Sequence, residues 1–170
     1  EPPTGRIRLL IDTDTHNEID DQFAIAWALL SQDRFDVEGV CAEPYSFQHL
    51  RDRTNAAYNL LKVNRSAVLP PELAAFRRVA LNHLALGSDP HQLHYDTPEE
   101  GAELSYQEIL TVYEKLNVDP TGKVFRGSPG YLTSLDAPIR SDSAEFIIER
   151  ALAQDDRPLY IAAIACLTNI

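Results

Sequence analysis

The chain has no methionine, one tryptophan, two cysteines and no apolar run long enough to cross a bilayer as a helix. Basic residues are also scarce: 15 Lys and Arg stand against 26 Asp and Glu, a formal net charge of −11 with a pI near 4.8. That balance argues against nucleic acid or an anionic membrane surface as partner. Two cysteines exclude a disulfide-rich scaffold; Cys41 and Cys166 each end an apolar, strand-like run and read as buried thiols, although neighbouring strands could bring them close. The chain opens on Glu1 rather than methionine, so a signal peptide removed ahead of it is compatible with the sequence, and compartment is left open. With 170 residues there is enough chain for one domain with a real core.

What the chain has in excess is acid, concentrated in one stretch. Ile7 to Ile11 is a short apolar run, and Asp12, Asp14, Glu18, Asp20 and Asp21 follow within ten residues. Phe23, Trp27 and Leu30 then fall at helical spacing. The reading is a buried strand, an acidic loop and an amphipathic helix. In open α/β sheets, ligands bind beyond the carboxyl ends of strands. Like charges this close repel, and burying an unpaired carboxylate is costly. A divalent cation answers both problems, and oxygen-only ligands suit a hard ion, calcium or magnesium. A plainer reading places Asp20 and Asp21 in the first turn of a helix with Asn17 as N-cap, but it leaves Asp12 and Asp14 unexplained.

Two known acidic loops can be set against the stretch. An EF-hand counted from Asp12 would need Gly where Asn17 stands and Glu where Phe23 stands, so it fails. Asp12-Thr13-Asp14-Thr15 resembles the start of the haloacid-dehalogenase phosphatase motif, but its Thr comes one place early and no Gly follows.

Further along, Phe35 to Ala42 reads as a second strand, with Glu43-Pro44-Tyr45 on the same rim as the acidic loop. Glu43 reads equally as solvated charge or as a pocket residue. Residues 46–97 read as an insertion: one stripe of Phe47, Leu50, Thr54, Tyr58 and Leu61, and another of Leu73, Phe76, Ala80 and Leu84, split by Pro70-Pro71. This predicts a helical hairpin, a lid near the pocket mouth. His83, His91 and His94 are scattered across it without tight metal-ligand spacing.

Thr97-Pro98-Glu99-Glu100 is a capping box opening a helix with Ala102, Tyr106, Ile109, Tyr113 and Leu116 on one face. Val124-Phe125 is a short strand. Asp142 to Glu145 reads as another capping box, for a helix burying Ala144, Ile147, Ile148, Ala151 and Leu152. Leu159 to Ala165 is almost continuously apolar, the pattern of a central parallel strand covered on both faces.

Two of these passages together resemble the inosine–uridine-preferring nucleoside hydrolase family. LLIDTDTHNEIDDQFAIAWAL is similar to the family's opening of apolar strand, Asp-x-Asp, loop, Asp-Asp and apolar helix; Leu167-Thr168-Asn169 is similar to its Gly-Pro-Leu-Thr-Asn, with Ala165-Cys166 in place of Gly-Pro. The chain departs from the family in its longer loop, Thr15 to Ile19, where the family has a shorter one carrying Pro-Gly, and in Glu43 and Tyr45, where the family has a Gly-Asn that helps hold ribose. The resemblance implies an open, mostly parallel sheet with helices on both faces, nucleoside hydrolase-like and Rossmann-like, incomplete at its C-terminus.

It also implies calcium bound by Asp14, Asp21 and the Thr168 backbone carbonyl. Asp14 would accept a proton from the attacking water, Asp20 would grip ribose hydroxyls, and Asp12 would orient the loop. The family's remaining metal carboxylate and leaving-group acid would lie beyond Ile170. The expectation is thus calcium-dependent hydrolysis of the N-glycosidic bond of ribonucleosides or related N-ribosides, with this segment alone inactive and prone to self-associate or to pair with a C-terminal part. The alternatives are a non-catalytic nucleoside- or sugar-binding module, and a magnesium-dependent phosphatase with Asp12 as nucleophile.

Overall fold

The computed structural model describes residues 5–170. In chain order the elements are β1 (Ile7–Thr13), α1 (Ile19–Leu30), β2 (Phe35–Ala42), α2 (Gln48–Val63), α3 (Arg77–Leu86), α4 (Pro98–Lys115), β3 (Val124–Phe125), α5 (Asp142–Leu152) and β4 (Leu159–Ala163). They form two compact units, residues 46–97 and the remainder.

The larger unit is an open α/β fold of Rossmann-like form. Its four strands are all parallel in the order β3-β2-β1-β4. Because β2 lies on one side of β1 and β4 on the other, the carboxyl end of β1 sits where the strand order reverses. Successive side chains of a strand face opposite ways. Ile11, Val40 and Ala42 pack on one face with Ile25, Ala28 and Leu29 of α1 and Ile109 and Tyr113 of α4. Leu10 and Cys41 pack on the other with Ile147 of α5. The register of β1 against β2 slips between Leu9 and Leu10, leaving Glu38 as the extra residue of a bulge.

Two expectations are corrected here. Phe23, Trp27 and Leu30 do not face the core; they are 68, 66 and 70% exposed. The buried face of α1 is Asp21, Ile25, Ala28 and Leu29. A buried aliphatic side chain contributes about 2 kcal/mol over an exposed one, so apolar area alone would favour turning Phe23 and Trp27 inward. The phase is set instead by Asp21, bonded to Thr13 on β1, and by Ala28, small enough for close approach to the sheet.

The second correction concerns α5. Its N-cap is Ser141, one residue before the expected Asp142, and the Ser141 hydroxyl accepts from Ala144 N at 3.1 Å. The whole phase moves with it: Ser143 and Ile147 are buried, while Ile148, Ala151 and Leu152 are exposed. β4 pairs with β1 on one side, and no strand lies on its other side among the described residues, where Tyr160 is 44% exposed.

The unit of residues 46–97 is a helical hairpin with its own core. Ala57, Tyr58 and Leu61 of α2 pack with Leu69, Leu73 and Ala80, and a 3₁₀ turn over Pro71–Phe76 leads into α3. Three of its four histidines lie against different neighbours: His83 beside Ser88 Oγ, His91 beside Asp89 and His94 beside Asp96.

Candidate functional site

At the carboxyl end of β1 the chain leaves the sheet through a loop closed by Asp14 and Asn17. Asn17 N donates to the Asp14 carbonyl at 2.7 Å, and Asn17 Nδ2 to Asp14 Oδ2 at 3.0 Å. Asn17 therefore serves the loop and not the helix: Glu18 holds the N-cap position of α1, without a side-chain bond. Asp20 and Asp21 fall in the first turn, where the helix dipole favours acids. Asp21 turns inward, accepting from Thr13 Oγ1 at 2.6 Å, and Thr13 Oγ1 lies 2.9 Å from Thr15 Oγ1. Asp20 is exposed on the same turn.

The four inner acids form two carboxyl pairs. Asp14 and Asp21 are neighbouring carboxyls; burial, then the Asp21 charge, pushes Asp14 up to about 6. Asp21 is also raised by burial, against the opposing pull of the Thr13 hydroxyl. The second pair is Asp12 and Glu43, both fully buried. Burial followed by contact with Glu43 pushes Asp12 up to about 9. Glu43 is raised by burial as well, partly offset by the donors around it. Glu43 is thus buried and not solvated charge. Tyr45, nearly buried, places its hydroxyl 2.9 Å from His16 Nδ1, with the two rings stacked.

The turn after β4 closes the site from the other side. Asn169 uses every polar atom of its side chain. Nδ2 donates to Asp12 Oδ1 at 3.0 Å and to the Ala42 carbonyl at 2.8 Å, while Oδ1 accepts from Ser128 N and Ser141 Oγ, both at 3.2 Å. Thr168 beside it is buried. Gly127 allows this convergence: a Cβ there would overlap the Ala42 carbonyl and crowd Asn169 Nδ2. Cys166 is half-buried, not buried as expected, and its thiol donates to Glu43 Oε2 at 3.0 Å.

The structure brings Asp14 and Asp21 together and holds the Thr168–Asn169 turn against Asp12. Asn169, Ser128 and Ser141 are site residues that sequence reasoning did not single out. The one available signal was Asn169, standing in the Leu-Thr-Asn motif beside Thr168.

Chemically this is a site of oxygens. The hydrogen bonds named above reach its carboxyls from hydroxyl, amide and thiol groups, none from Arg or Lys. Two buried oxygens, Asp12 Oδ2 and Asn17 Oδ1, have no N–H or O–H donor among the described residues. Carboxylates, carbonyls and an orphaned amide oxygen are the donor set of a hard divalent cation, so these residues fit calcium. Fold and site together define an α/β protein of Rossmann-like form with an acid-lined site at the strand-order switch. Compared with protein families, curated proteins and solved structures, the chain matches none.

Proposed function

We propose that this protein is a nucleoside hydrolase-like N-glycosidase, cleaving the N-glycosidic bond of ribonucleosides or related N-ribosides to ribose and free base with calcium bound. The observation that carries the reading is the neighbouring Asp14 and Asp21 carboxyls at the carboxyl end of β1, held by Asn17 and Thr13 with no cationic partner among the described residues. Asp14, Asp21 and the Thr168 carbonyl would hold the ion. Calcium, when bound, makes water more acidic and fixes its position. Asp14 then accepts the proton of the attacking water, and exposed Asp20 is free to bind ribose hydroxyls. The N-glycosidic bond breaks as positive charge develops on the sugar ring, and carboxylates near that charge stabilise it.

The phosphatase alternative needs Asp12 to attack phosphorus. Asp12 is fully buried, with one oxygen bonded to Asn169 and its carboxyl against Glu43, which argues against a nucleophilic role. The test is release of free base from purine and pyrimidine nucleosides by the natural full-length protein, with calcium and with chelator. Calcium-dependent release is expected. Hydrolysis of phosphate esters only, or an aspartyl-phosphate trapped on Asp12, would overturn the proposal.

A further inference from the structure

Glu43 has no sugar-binding capacity to spare. Its backbone N–H extends the sheet ladder to the Thr13 carbonyl at 2.8 Å, which fixes the residue at the rim of the site. Oε1 accepts from Asn169 N at 2.8 Å, and Oε2 accepts from Cys166 Sγ at 3.0 Å. Two donors from the two ends of one four-residue turn thus converge on a single, fully buried side chain. A carboxylate is the side chain that accepts at both ends; glutamine, of equal size, would turn an NH₂ group toward one of those donors.

From this convergence we propose that Glu43 is a positioning residue: it anchors the Cys166–Asn169 turn and so aims the Thr168 carbonyl at the calcium position, without touching substrate. The inference rests on the calcium-hydrolase reading above. It assigns Glu43 to the metal and not to the sugar, so ribose is gripped on this rim by fewer groups than in the family the sequence resembles. Groups that orient a metal's ligands commonly govern its affinity by ten- to a hundredfold.

The experiment uses the natural full-length protein and its Glu43→Gln variant, with two readouts besides activity. In calcium-free buffer, amide hydrogen exchange over residues 166–169 is expected to speed up about tenfold in the variant. Titration calorimetry is expected to show calcium binding weakened about tenfold. Unchanged exchange in a folded Glu43→Gln overturns the anchor; faster exchange with unchanged calcium affinity overturns its role toward the metal. A wild type without calcium affinity overturns the functional reading, and with it the calcium half of this inference, while exchange still judges the anchor. Should Glu43→Gln fail to fold, Cys166→Ala removes one of the two donors from the turn's side. It is expected to loosen the turn two- to threefold, and unchanged exchange there overturns the anchor equally.

Discussion

The two ends of the same pair of strands handle buried charge in opposite ways. At the amino end, Glu38 accepts from Arg8 Nε at 2.5 Å and from Arg150 Nε at 2.6 Å, and Arg8 Nη1 and Nη2 donate onward to the Arg157 and Arg150 carbonyls. Asp36, Asp155 and Arg157 extend the network outward. At the carboxyl end, Asp12, Asp14, Asp21 and Glu43 crowd together with, among the described residues, only neutral donors and one another. Burial of ions is tolerated when each charge is matched. The amino end is therefore a finished clasp that ties β1, β2 and α5 together. The carboxyl end has no such match among the described residues; on the reading proposed above a cation supplies it, at the end where a parallel sheet binds its ligands.

The largest effect should come from removing one acid of the carboxyl end. Asp14→Asn is expected to abolish base release, a loss of about a thousandfold or more, since it removes the group that takes the proton. Metal-free thermal stability should hold or rise, because a repulsive neighbour of Asp21 is gone. Asp12→Asn should cost less activity. If Asp12→Asn proves the more damaging, the division of labour between the two carboxyl pairs is wrong.

Breaking the clasp should do the reverse. Glu38→Ala leaves Arg8, 3% exposed, without its principal counter-ion and with only Asp155 at 3.5 Å. Loss of one partner of a buried pair costs about 3–5 kcal/mol. Urea unfolding should show a loss of that order, with calcium affinity in the remaining folded protein within a factor of two. A stability change below about 1 kcal/mol would mean that the amino end is no clasp.

The two ends also differ in sign with pH. Burial would raise Glu38, but the bonds from Arg8 and Arg150 outweigh it and hold the group below its ordinary 4.5. Its contribution is present above that value and is lost as pH falls through the lower folded one. Asp14 and Asp12, raised from 3.8 to about 6 and about 9, act oppositely: the folded protein binds their protons more tightly than the unfolded chain does. Their contribution falls as pH rises from about 4 towards those values. Metal-free protein should therefore be most stable just above pH 4.5 and weaken towards neutrality. Calcium needs deprotonated ligands and should restore stability chiefly above pH 6. Thermal melts across pH, with and without calcium, check this; a metal-free maximum at pH 8 would contradict it.

The contrast explains what the sequence made legible. β1, β2 and the Asp14–Asp21 spacing are local, and short-range periodicity reports them well. Glu43 is not local: its partner Asn169 lies 126 positions away, and a lone Glu after a strand carries no mark of burial. The clasp is equally long-range, Arg150 and Glu38 being 112 positions apart. The phase of α1 was hidden for another reason. Periodicity selects the largest apolar residues, whereas an inward carboxylate chose the face and left Phe23 and Trp27 outside.

The smallest effect lies where a structural bond and the site touch. Ser141 Oγ accepts from Ala144 N to cap α5, and donates to Asn169 Oδ1. Ser141→Ala should cost about 1 kcal/mol, the usual worth of an N-cap. The site itself should barely register the change, because Asn169 keeps its bonds to Asp12, the Ala42 carbonyl, Ser128 N and Glu43. Calcium affinity within twofold of wild type, alongside that loss in urea unfolding, would show that the turn is held from the acid side. A loss of calcium affinity as large as that expected of Glu43→Gln would instead move the anchor of the turn to α5, and the carboxyl end would no longer be self-supporting.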